Sequence, residues 1–174
     1  MNILNYQEIQ TPPDVWSEIL KLNPIDENDV FLEPFAGECS LYNQVTNKNK
    51  DWCEITRDKD IFNYDFKNSL VSCIYTNPPF KAMIKGKYKN SVYYFLEYFM
   101  IHFPKLEKIG FLINAKSFQS ITPKRMAKLN SLGFYVCSIT LLNCNYWYGL
   151  YYFILFDKQQ TNKCIKVIEK TFKK

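Results

Sequence analysis

The sequence predicts an α/β domain built on a mainly parallel sheet. Short apolar runs of strand length alternate with segments of helical periodicity, a pattern that gives right-handed crossovers between parallel strands. The last two runs, Tyr135–Leu142 and Leu150–Asp157, are joined by a short loop, which sets them antiparallel. The 174 residues contain no internal repeat and no low-complexity linker, so a single domain spanning 1–174 is expected.

The elements follow in order. Residues 12–22 carry Val15, Trp16, Ile19 and Leu20 at helical spacing, with Thr11 placed as the N-cap and Pro12 in the first turn. Asp29–Glu33 is a short strand running into Pro34-Phe35-Ala36-Gly37, and Ser40–Thr46 is the following helix. Lys50–Ile55 is a second strand, and Asp60–Phe66 a loop or short helix. Leu70–Tyr75 is an apolar strand; the lysine-rich stretch 81–90 is a loop; Ser91–Phe103 is an aromatic-rich helix. Lys108–Ile113 is a strand, and Pro123–Ser131 is a helix stopped at Gly133. The lysine-rich tail after Asp157 is a final short element or frays.

Composition narrows the chemistry. The single histidine, His102, excludes multi-histidine zinc sites, and no two of the six cysteines form a C-x-x-C pair, so no metal site is expected. Those cysteines read as buried thiols of a reducing, cytoplasmic setting. No signal peptide or bilayer-length apolar stretch is present, which points away from a membrane. The formal net charge of +5 suits a polyanionic partner, and an aromatic content of 17% offers stacking surface as well as core.

The chemistry concentrates at strand ends. After Leu70–Tyr75 comes Asn77-Pro78-Pro79-Phe80. Two prolines cannot continue a ladder, and Pro78 holds Asn77 extended, so a stiff elbow forms at the strand's carboxyl end. That is where open α/β sheets bind ligands. An amide, a backbone carbonyl and a flat ring together suit a planar nitrogen base: the oxygens accept from an exocyclic amine and Phe80 stacks on the ring. Upstream, Glu33-Pro34-Phe35-Ala36-Gly37 is a strand-to-helix turn in which Gly37 permits close backbone approach. Glu54, at the next strand end, is placed to accept two ribose hydroxyls. Asp60-Ile61-Phe62 pairs an acceptor for an amino group with apolar walls.

In this order and spacing the chain resembles the Rossmann-like S-adenosylmethionine-dependent amino-methyltransferases that act on nucleic acid, above all the N6-adenine type. The likeness runs over roughly residues 10–157. It implies a mostly parallel seven-stranded sheet with the last strand antiparallel and helices on both faces. It also implies S-adenosylmethionine as cofactor, held by Thr11, Pro12, Glu33, Pro34, Phe35, Ala36, Gly37, Glu54, Asp60, Ile61, Phe62 and Asn77. Asn77, Pro78, Pro79 and Phe80 become the catalytic elbow. The implied partner is DNA, with RNA open as the alternative. Larger members carry a separate target-recognition domain, for which this chain has no segment. The family's second glycine is Cys39 here, which keeps a non-catalytic nucleic-acid-binding relative open; a protein-glutamine methyltransferase is a further rival. Lys81, Lys85, Lys87 and Lys89 are either a solvated loop or phosphate contacts beside the target base, and Trp147, in the loop 143–149, is a candidate to stack on nucleic acid.

Overall fold

The computed structural model describes residues 10–67, 69–84, 87–144, 149–159 and 166–172. A seven-stranded sheet forms the centre, in the order β2-β1-β3-β6-β8-β7-β9. Its strands are β1 (Phe31–Glu33), β2 (Lys50–Trp52), β3 (Cys73–Thr76), β6 (Lys108–Asn114), β7 (Tyr135–Cys144), β8 (Tyr151–Asp157) and β9 (Lys166–Phe172). All pairings are parallel except those of β8, which runs antiparallel to both β6 and β7. The expected antiparallel strand is thus found at Tyr151–Asp157. The seventh strand comes from the lysine-rich tail, which pairs parallel with β7 along the sheet edge.

Side-chain alternation divides the core between the two faces. Phe31, Cys73, Tyr75, Leu112 and Phe153 face α1 (Pro13–Leu22), which contributes Val15, Trp16 and Ile19. Burying each of those three side chains contributes about 2 kcal/mol. Leu32, Ile74, Ile109, Phe111 and Ile113 face the other way, toward α2 (Val92–His102) and α4 (Pro123–Ser131), which add Phe95, Leu96, Phe99 and Leu129. Gly110 is required on the α1 face, where a Cβ would run into the rings of Phe153 and Tyr75.

Local chemistry explains the ends of α1. Its N-cap is Pro12, without a side-chain cap, so the expected capping by Thr11 does not occur. At its C-terminus Asn23 donates to Ile19 O and accepts from Ser138 Oγ at 2.6 Å, fastening the helix end to β7, and Pro24 prevents continuation.

Three expectations are revised. Ser40–Thr46 is a series of turns rather than a helix, with Leu41 and Val45 buried as anchors. It follows two residues of positive φ, Gly37 (51°) and Cys39 (64°), a start no α-helix shares. The stretch 81–90 is an antiparallel hairpin, β4 (Lys81–Ile84) with β5 (Lys87–Asn90), rather than an open loop. A short helix not foreseen in the sequence, α3 (Ala115–Phe118), follows β6, capped by the Asn114 side chain. Among the described residues no helix is long and apolar enough to cross a membrane.

Candidate active site

Parallel register brings the carboxyl ends of β1, β2 and β3 to one rim: Phe31 pairs with both Lys50 and Cys73. The segments leaving those ends, 34–40, 53–62 and 77–80, therefore converge. Ala36 N–H donates to Cys53 O at 2.9 Å and Cys53 N–H to Glu33 O at 2.8 Å, binding the first two together.

The glycine turn is held by a carboxylate. Gly37 N–H donates to Glu54 Oε2 at 2.7 Å, while Glu54 Oε1 accepts from Thr56 N–H (3.2 Å) and Thr56 Oγ1 (3.1 Å). A carboxylate offers about four acceptor positions, so Glu54 retains about one for an external donor. The two ribose contacts expected of it require one internal bond to open. Glu54 is 3% exposed.

Glu33 lies deeper, buried beneath the turn, and its Oε2 accepts from Tyr42 N–H at 2.8 Å. Burial holds its carboxyl well above the ordinary range; the Tyr42 N–H opposes this and the nearby Glu54 adds to it. Glu33 is a brace under the site, with its acid group turned inward. Asp60 opens a single 3-10 turn, Ile61–Asn63, by accepting from Phe62 N–H at 3.0 Å.

These elements enclose a narrow cleft lined by Pro34, Phe35, Glu54, Ile55, Asp60, Ile61, Phe62, Pro79, Ala82 and Phe95, with a volume of about 30 Å³, enough for about one water molecule. Its surface is almost wholly apolar, and the aromatic and proline walls suit a flat ring that parts them on entry. Seven of the expected site residues meet here: Pro34, Phe35, Glu54, Asp60, Ile61, Phe62 and Pro79. A second, more polar and more open cleft of about 470 Å³ is lined by Gln10, Thr11, Pro12, Pro13, Glu38, Ser40, Asn43 and Gln44. It holds the other expected pair, Thr11 and Pro12. Gly37 stands between the clefts, under the Gln10 side chain: a Cβ there would lie 2.8 Å from Gln10 Oε1.

The elbow leaves β3 with Asn77 half-buried, and Asn77 Nδ2 donates to Thr11 Oγ1 at 3.1 Å. Thr11 thus fixes the amide, whose Oδ1 is turned into the protein and lines neither cleft. Pro78 is buried. Ser91 fixes the rest: its Oγ donates to Pro79 O and its N–H to Phe80 O at 3.1 Å. Phe80 is half-buried, its ring centroid 6.3 Å from that of Tyr151. Lys81 is exposed at the foot of the hairpin; Lys87 and Lys89 lie on β5; Lys85 and Trp147 lie outside the described residues.

Five contributors were not foreseen: Gln10, Ile55, Ala82, Ser91 and Phe95. Ser91 stands where a helix N-cap belongs, yet its hydroxyl goes to the elbow instead of to α2. Cys39, at the family's second glycine, has a left-handed φ of 64°, the conformation for which glycine is suited. Arg57 Nη1 donates to Cys39 Sγ at 3.3 Å and steadies it.

No protein-family model and no curated protein matches the chain. Solved structures do match. The M protein of the type I restriction enzyme EcoKI superposes with a TM-score of 0.59 at 14% identity, over 97% of this chain and 49% of that one. A protein described as a type I restriction enzyme modification subunit, from Vibrio vulnificus YJ016, gives 0.57 at 13%, over 94% and 47%. A protein described as a class I S-adenosylmethionine-dependent methyltransferase, from Listeria monocytogenes, gives 0.55 at 13%, over 91% and 63%. The chain thus spans roughly half to two-thirds of their length. At this identity the likeness establishes the fold, a Rossmann-like methyltransferase fold.

Proposed function

We propose that the chain is an S-adenosylmethionine-dependent methyltransferase whose acceptor is the exocyclic N6 of adenine in nucleic acid. The observation that carries this reading is the placement of the Asn77–Phe80 elbow: Pro79 is shared between the elbow and the wall of the Glu54–Asp60 cleft. Two of the similar structures are restriction-enzyme modification subunits, which makes DNA the first substrate to test.

The donor set fits the cofactor. Asp60 and Glu54 are positioned to accept from an adenine amine and a ribose hydroxyl, between the Phe35, Ile55 and Phe62 side chains. Gly37, whose φ of 51° favours glycine, allows the chain to pass close to the ligand. When bound, S-adenosylmethionine supplies an electrophilic methyl group on a sulfonium.

The remaining task is positioning. Adenine N6 is a weak nucleophile because its lone pair is delocalised into the ring. Acceptance of the N6 hydrogens by Asn77 Oδ1 and the Pro78 carbonyl favours a more tetrahedral nitrogen and supports the charge that develops on it. In this reading the amide turns on its Thr11 bond to bring Oδ1 to the base, and Phe80 stacks on the base to hold it in line. The surplus N6 proton leaves to solvent, so no histidine is needed. In a duplex the base must be extruded first, at a cost of a few kcal/mol.

The experiment is methyl transfer from tritiated S-adenosylmethionine to duplex DNA, single-stranded DNA and RNA, followed by nucleoside separation. Label in N6-methyladenosine or its deoxy form is expected. Label confined to protein would overturn the reading in favour of a protein-amide acceptor.

A further inference from the structure

The charge of this chain is divided along its length. The first 65 residues hold 13 of the 17 carboxylates and 5 of the 22 lysines and arginines. Between Asp65 and Glu97, and again between Glu107 and Asp157, there is no carboxylate at all; each stretch carries five cations. The fold turns this division into a polarity of the functional rim. On the side of β1 and β2 stand Glu38, Glu54, Asp58 and Asp60, with Arg57 engaged by Cys39 and Lys59 paired with Asp51. On the side of β6 the same rim carries Lys81 at the hairpin foot, Lys116 on α3, and Lys124 and Arg125 in the first turn of α4, all exposed.

The geometry points to this second face as the track for a nucleic-acid backbone, with Lys116, Lys124 and Arg125 contacting phosphates on the far side of the elbow from the cofactor cleft. The inference rests on the proposed reaction and adds to it three binding residues and a direction of approach. Four features support it. The α3–α4 turn meets the end of the hairpin directly, since Ser120 Oγ lies 3.5 Å from Asn90 Oδ1, so the hairpin end adjoins the start of α4. Arg125 is held in place: its guanidinium lies 4.6 Å from the Tyr93 ring centroid and Nη1 donates to Ser120 O at 2.6 Å, which lowers the entropy lost on fixing a phosphate. The next cation on α4, Lys128, is instead taken up by Glu97, which leaves the cationic face at the rim end of the helix. Finally, the partition suits the ligands: a sulfonium-bearing cofactor is favoured beside carboxylates, and a polyanion is favoured where they are missing.

The test measures binding apart from turnover. Fluorescence anisotropy with labelled duplex DNA and single-stranded RNA compares the intact chain with the triple variant Lys116→Gln, Lys124→Gln, Arg125→Gln. A charge-matched control carries Lys67→Gln, Lys105→Gln and Lys158→Gln, which lie at the opposite ends of the strands. A double variant, Lys116→Gln with Lys124→Gln, keeps the test usable if Arg125 proves necessary for folding. We expect the rim triple to weaken binding about tenfold or more and to flatten the salt dependence by about two to three phosphate contacts, while the control changes affinity less than about twofold. Equal losses in the two triples, no loss in the rim triple, or no nucleic-acid binding by the intact chain each overturn the track. Calorimetric titration of S-adenosylmethionine into the intact chain is read separately: its failure sinks the methyl-transfer reading without bearing on the binding measured by anisotropy.

Discussion

The two sides of the strand rim are built by opposite means. On the β1–β2 side, carboxylates are the scaffold. Glu54 ties the Gly37 turn to Thr56, Glu33 braces Tyr42 from below, and Asp60 opens the next turn. On the β3–hairpin side, two prolines supply the stiffness, and a threonine and a serine adjust it, Thr11 through Asn77 and Ser91 through the Pro79 and Phe80 carbonyls. The lesson concerns what a substitution reports. Removing an acid from the first side disturbs fold and ligand together, whereas the elbow can lose its amide while its backbone stays in place.

The largest expected effect that sharpens this contrast is that of Glu54→Ala. It deletes three hydrogen bonds and leaves the Gly37 N–H without its acceptor, at a cost of about 2–3 kcal/mol. Thermal midpoint and cofactor affinity should fall together; an unchanged midpoint would show that the carboxylate is not structural.

A smaller effect is expected at Glu33, and it depends on pH. Because burial raises the folded-state pKa above the ordinary value of 4.5, the unfolded chain ionises first as pH rises. The stability that Glu33 contributes is therefore fully present below about pH 4.5 and is lost progressively above it, up to the folded-state pKa. Glu33→Gln keeps an acceptor for Tyr42 N–H but cannot ionise. Its stability relative to the unsubstituted chain should be near parity below about pH 4.5 and should rise toward neutral pH. A gap that stays constant across that range would mean that Glu33 titrates normally.

The smallest effect is at Cys39. Glycine relieves the positive φ but gives up the Arg57 contact and gains unfolded-state entropy. Cys39→Gly should thus raise stability by only about 0.5 kcal/mol, with cofactor affinity equal or better. A clear loss of affinity would make the thiol itself part of the site.

How far the sequence reveals this site follows the same division. The backbone of the elbow and of the glycine turn was legible because each is a local motif whose consequence, proline stiffness or positive φ, is dictated within a few residues. The helix α4 was legible to its exact bounds because Thr122 and Pro123 start it and Gly133 ends it. What escaped notice depends on distant contacts. Gln10 over Gly37, and Ser91 diverted from its helix to Pro79, are polar residues whose partners lie 27 and 12 positions away. The turns at 40–46 escaped because Leu41 and Val45 have helical spacing, while the left-handed Cys39 that sets the path ahead of them does not announce itself in a cysteine. Strand β9 escaped because its lysines read as a solvated tail; the exposed edge it occupies tolerates them.

The most direct measurement of the central claim is single-turnover methyl transfer by Asn77→Ala, paired with its calorimetric affinity for S-adenosylmethionine. The account predicts a rate at least about a hundredfold below that of the intact chain, with cofactor affinity within about threefold, since the amide's partner is the amine and not the Glu54–Asp60 cleft. Transfer at the full rate, or a rate that falls only in step with lost cofactor binding, would contradict it.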